Sequence, residues 1–129
     1  MFEIRYSGVS EIEISASRAE LGELRKTLLD LIKSDLLVAR LDADRTIDPQ
    51  PWDSVGKGLK LNRSEGAVRV SISIDSMVII EGSDQNLDNF SSFLVFDEGE
   101  NGSHSHFEYH EGKQYVAFDS IPLIISVSD

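Results

Sequence analysis

Residues 67–94 read AVRVSISIDSMVIIEGSDQNLDNFSSFL, and this stretch decides the fold class. AVRVSISID (67–75) alternates apolar and polar residues, the period of a half-buried strand, and MVIIEG (77–82) opens with MVII, a strongly strand-forming run. Asp75 and Ser76 turn one run into the other, so the pair reads as a hairpin. Ser83 then stands at a helix cap, where its hydroxyl accepts an amide that has no intrahelical partner. Asp84 and Asp88 lie near the positive end of the helix dipole. Leu87, Phe90 and Leu94 follow at helical spacing as one apolar stripe.

The same order stands at the start of the chain. FEIRY (2–6) and EIEIS (11–15) alternate, with a turn at Ser7-Gly8. Ser17 and Glu20 form a capping box, in which hydroxyl and carboxylate each satisfy an orphan amide. Leu21, Leu24, Leu28, Leu31 and Ile32 continue at helical spacing, and the helix is expected to run to about Ser34. LLVARL (36–41) reads as a strand. At an offset of 66 residues Phe2 matches Val68, Ile14 matches Ile80, Ser17 matches Ser83 and Leu28 matches Leu94. Two amphipathic hairpin–helix units align on periodicity alone, so the shared capping serine is the more telling match.

The expected architecture is α+β: a mostly antiparallel sheet with two helices packed on one face. It forms a single domain over 1–129, with half-repeats at about 1–41 and 68–110. Residues 42–56 are an irregular linker, because Pro49 and Pro51 remove backbone donors and disfavour helix before each ring. Trp52 lies in that linker and reads first as a plug for the core, second as an exposed binding anchor. GLKLNRS (58–64) is a weak strand. HSHFEYH (104–110), a turn at Glu111-Gly112, YVAF (115–118) and LIISVS (123–128) are expected to complete the sheet.

With 129 residues the chain suits one core. It has no cysteine, which removes disulfides, zinc fingers and thiol catalysis. The first residues do not read as a signal peptide and no apolar run spans a bilayer, so a cytoplasmic protein is expected. The net charge of −11 is unevenly spread. Residues 1–69 hold eleven bases against twelve acids, whereas 70–129 hold Lys113 alone against eleven acids. A field of that sign repels nucleic acid and anionic membrane and attracts a basic partner. It also simply keeps a protein dissolved.

All three histidines fall within GSHSHFEYHEG (102–112). In a strand, His104, His106, Glu108 and His110 share one face, while Ser105, Phe107 and Tyr109 share the other. The first reading is a strand whose histidines face solvent and whose aromatics face the core. A partner-binding role comes second. A metal site, or a metal-dependent enzyme, on His104, His106 and His110 with Glu108 or Glu111 comes third, because no zinc signature is present. No nucleophile elbow, phosphate-cradling loop or paired-acid motif stands in the chain, so neither catalysis nor a cofactor is expected. A dimerising adaptor pairing through MVII at a sheet edge is the remaining alternative.

SISIDSMVIIEGS (71–83), the stripe Leu87, Phe90 and Leu94, Gly-Ser-His-x-His-x-Glu-Tyr at 102–109, and then Tyr115, Ser120, Pro122 and Leu123 agree in order and spacing with one family. Over residues 68–128 the chain resembles immunity protein 32 of bacterial polymorphic toxin systems. The resemblance implies an antidote of contact-dependent inhibition type. Such a protein binds a cognate toxin domain and blocks it without chemistry of its own. A toxin with a basic surface, such as a nuclease, suits the acidic half. His104, His106 and Glu108 match recurring family positions, in contact with toxin or holding the fold. The expected anchors are Trp52, Tyr109 and Tyr115, with the acids Asp97, Glu98 and Glu100.

Overall fold

The computed structural model describes residues 1–97 and 102–129. The fold is α+β, and its strands divide into two mostly antiparallel sheets. The chain runs β1 (Glu3–Ser7), β2 (Glu11–Ala16), α1 (Arg18–Ile32), β3 (Val38–Asp42), β4 (Ser54–Val55), β5 (Gly58–Arg63), β6 (Arg69–Ile72) and β7 (Met77–Gly82). It continues through α2 (Asp84–Ser91), a 3-10 turn over Ser92–Leu94, β8 (His104–Phe107) and β9 (Leu123–Val127). The five-stranded sheet has the order β4-β1-β2-β9-β8, and the four-stranded sheet β3-β5-β7-β6.

Each sheet is built from both halves of the chain. The β1–β2 hairpin does not pair with β3 or β5, which follow it. Instead β2 takes β9 as its parallel neighbour, with Ile12 beside Leu123 and Ile14 beside Ile125. Likewise β7 takes β5, with Val78 beside Leu59 and Ile80 beside Leu61. The outer pairs also correspond: Ala39 faces Leu61 and Leu41 faces Leu59, while Ser105 faces Ile125 and Phe107 faces Leu123. The closing hairpins are thus exchanged between the halves, and the same register is met in both sheets.

The alternation of the strands explains one core. Ile4, Ile12, Ile14, Leu123 and Ile125 are buried from the first sheet, and Leu59, Leu61, Val70, Val78 and Ile80 from the second. Leu21, Leu24, Leu28 and Leu31 of α1 join them, with Leu87, Phe90 and Leu94 from the second helical segment. Both helices start at the expected serines: Ser17 and Glu20 form a full capping box, and the Ser83 side chain accepts the Asn86 amide.

Gly56 makes the corner at which the chain leaves one sheet for the other. Its amide donates to the Ile4 carbonyl at 2.9 Å. A Cβ on Gly56 would stand 2.5 Å from Cγ2 of Ile4, so only glycine lets the backbone lie on that side chain. Ser120 works at the matching corner of the second half. Its hydroxyl accepts the buried Val70 amide at 2.8 Å, and the Ile121 amide donates to the Val70 carbonyl at 2.8 Å.

Several local expectations are corrected. The strand expected over 104–110 ends at Phe107. YVAF makes only a single bridge, Val116 to Val68, because this segment seals the far edge of β6 as it passes. MVII is the interior strand β7, held between β5 and β6, so it offers no edge for dimerisation. The stretch 42–56 holds the short strand β4, which pairs with Arg5 and Tyr6.

Candidate functional site

The exposed face of the five-stranded sheet is the candidate site. In β1 and β2 the polar members of the alternation, Glu3, Arg5, Glu11, Glu13 and Ser15, point away from the buried isoleucines. In β8 and β9 the same rule turns His104, His106, Ile124 and Ser126 outward. The register sets Arg5, Glu13, Ile124 and His106 in one row, and Glu3, Ser15, Ser126 and His104 in the next. Two histidines therefore stand on the same face as three glutamates.

Local contacts fix part of this face. Arg5 donates from Nη1 to Glu3 at 2.9 Å and from Nε to the Asp48 carbonyl at 2.8 Å, so its charge is already engaged. Ser126 donates to Glu13 Oε2 at 3.3 Å. The His104 and His106 rings lie 4.9 Å apart, edge to face. Glu11 and Glu13 add negative charge with no arginine or lysine in ion-pair reach among the described residues. The arrangement presents carboxylates and two imidazoles on one sheet face, groups whose chemistry can meet a cationic surface.

The structure distributes the other expected anchors. Trp52 is half-buried in the approach to β4 and lies outside the hydrophobic core, which corrects the plug reading. With β4 and β8 at opposite edges of the sheet, Trp52 and the histidines are separated by four strand spacings, roughly 19 Å. Tyr109 was expected to face the core and instead is 41% exposed, because β8 has ended two residues earlier. Tyr115 packs against the core, 6.3 Å from the Phe107 ring, with Lys113 over its face. Asp97 is exposed, and its carbonyl accepts from Arg18 Nε at 3.2 Å. Glu98 and Glu100 lie outside the described residues.

His110 does not continue the histidine stripe. It stands beyond the end of β8, with Nε2 at 3.6 Å from Glu108 Oε1. Among the described residues, no group of three or more His, Asp or Glu side chains is placed to hold a metal ion. None of the described helices is long and apolar enough to cross a membrane.

The charge asymmetry of the sequence is blunted in space. Arg63 holds Asp84, and its hydrogen bonds keep that carboxyl below the usual range. Arg69 does the same for Asp119 and also approaches Glu81 at 3.5 Å. Three acids of the second half are thus paired to arginines of the first. The acids on the histidine face that have no arginine or lysine in ion-pair reach among the described residues, Glu11 and Glu13, come instead from the first half. Sequence reading missed them because it weighed charge by position along the chain. The available signal was the polar half of EIEIS.

Compared with known proteins, the chain matches no family model, no curated protein and no solved structure.

Proposed function

We propose that the chain is a toxin-neutralising binding protein that meets a basic surface of its target with the outer face of the five-stranded sheet. The carrying observation is how the residues behind the family resemblance divide. Phe107, Ser120 and Leu123 are buried and build the fold. His104 and His106 are exposed, and the row of His106 runs through Ile124 to Glu13, which has no arginine or lysine in ion-pair reach among the described residues. Packing accounts for the first three, and exposure leaves the two imidazoles available to a partner. The glutamates supply the charge, which steers encounter, and the imidazoles supply hydrogen-bonding and stacking surface. Inhibition by occupation of a basic substrate site requires no chemistry from this chain.

The test is co-purification with the toxin domain encoded beside this gene, followed by titration of Glu13→Gln and His106→Ala. The double variant is expected to keep its circular dichroism spectrum while its affinity falls, and binding by the parent is expected to weaken with added salt. Absence of both complex formation and protection against the adjacent toxin would overturn the proposal.

A further inference from the structure

Among the described residues, β3 and β8 are sheet edges with no further strand beside them, and they hold equivalent places in their sheets. Arg63 donates its amide to the Leu37 carbonyl, and Ala43 donates to the Lys57 carbonyl. That phase turns the backbone of residues 37, 39, 41 and 43 toward β5. Val38, Arg40 and Asp42 therefore aim their amides and carbonyls outward, away from the sheet. An edge of this kind takes an added strand.

Both sides of the β3 edge specify what that strand carries. On the outer face, Arg40 stands directly opposite Lys60. Like charges in that position repel, and neither has a carboxylate in ion-pair reach among the described residues. A shallow hollow of about 110 Å³ lies over them, floored by Met77 and Ile79. Its one acid, Asp75, already accepts from Ser73, and its carboxyl is held low chiefly by that bond, with Lys57 and Arg40 adding to the effect. On the inner side a groove of about 280 Å³ opens between α1 and β3, lined by Thr27, Leu31, Leu36 and Ala39 among others. Leu36, which lines it, is 65% exposed.

The second half shows how such a groove looks when filled. The residue matching Thr27 is Phe93, and the residue matching Ala39 is Ser105. Phe93 packs half-buried, 5.0 Å from the Phe107 ring, and its carbonyl accepts from the Ser105 hydroxyl. The β8 side is thus closed by an aromatic ring from the chain itself, while the β3 side is open.

We infer that the β3 edge receives an extended segment of a partner chain, with an acidic residue opposite Arg40 and a bulky apolar residue next to it that enters the α1–β3 groove. This surface lies on the other sheet from the histidine face and does not depend on the toxin reading.

The experiment is an amide NMR titration of the whole chain with a capped peptide, Lys-Val-Glu-Phe-Thr, and with a control in which the Glu is Lys. The acidic-centred peptide is expected to bind in the millimolar range, shifting Val38, Arg40 and Asp42 and leaving His104 and His106 unmoved. Arg40→Glu should weaken it about tenfold, the scale of one charge-assisted pair, and should favour the control peptide instead. Thr27→Phe, which copies the closed half, should abolish binding. A second variant, Lys60→Glu, reads the charge requirement should Thr27→Phe fail to fold. Equal binding of the two peptides, or shifts confined to residues outside β3, would overturn the inference.

Discussion

Arg63 holds Asp84 at two points, Nε to Oδ1 at 2.9 Å and Nη2 to Oδ2 at 2.8 Å. Its Nη1 donates to the carbonyls of Ser34 and Leu36 at 2.6 and 2.8 Å. One guanidinium therefore joins the end of β5, the start of α2 and the exit from α1. Arg63→Lys keeps the charge but loses the planar fork. Arg63→Lys is expected to lower the melting temperature nearly as much as Arg63→Ala, and Asp84→Asn less than either. Thermal melts of the three variants check the order. A lysine variant as stable as the parent would show that charge alone matters here.

Acid should weaken the fold through the same contacts. The carboxyls of Asp84 and Asp119 are held below their ordinary range by hydrogen bonds from Arg63 and Arg69. Glu20 is held low by the chain's terminal ammonium and by Ser17. A carboxyl lowered in the folded state stabilises fully above its unfolded value, and that share is lost as pH falls through the folded value. Urea midpoints are expected to hold steady above the ordinary carboxylate range and decline below it. Asp84→Asn should show a shallower decline than the parent.

Core and surface sides of β8 should separate cleanly. Phe107 is fully buried between Phe90 and Phe93, with ring centroids at 4.8 and 5.0 Å. Phe107→Ala should cost about 3–5 kcal/mol. His104→Ala and His106→Ala should each stay within about 0.5 kcal/mol, as expected for exposed positions. Chemical denaturation measures all three. Losses of equal size at the histidines would contradict their outward facing.

Gly56→Ala should be costly although the change is one methyl group. The added carbon would meet Cγ2 of Ile4 at 2.5 Å and Cβ of Ile4 at 2.8 Å, and both belong to a buried side chain with no room to retreat. Overpacking of this kind costs about 1–3 kcal/mol. By contrast, Gly22→Ala on the exposed side of α1 meets nothing within 4 Å. That change should stabilise, by about 0.5–1 kcal/mol. Denaturation curves of the pair give both signs.

The elements were legible because each carries its own local signal. EIEIS, MVIIEG, the serine caps and the leucine stripes need no tertiary information. Partner choice was less so. Nothing in MVIIEG or GLKLNRS says that these strands lie side by side, because parallel pairing depends on a corner at Gly56 that only the packed Ile4 explains. The weak strand GLKLNRS is central for the same reason: its apolar Leu59 and Leu61 meet both neighbours. On the candidate face, strand alternation placed His104 and His106 outward, and the structure agrees. It failed at Tyr109 because alternation was carried past Phe107, where the ladder with β9 stops.

The exchange of closing hairpins has a kinetic side. Ile12 finds its neighbour Leu123 only after almost the whole chain has been placed, and Ile14 likewise waits for Ile125. Contacts so distant in sequence slow folding, since each closes a long loop before it is rewarded. Neither half can complete a sheet alone. Cleaving the backbone at Glu65-Gly66, where the turn is exposed, would yield two fragments that each hold one hairpin of both sheets. Such fragments have reason to stay unfolded apart and to assemble together, so the architecture is a ready-made pair of complementing pieces.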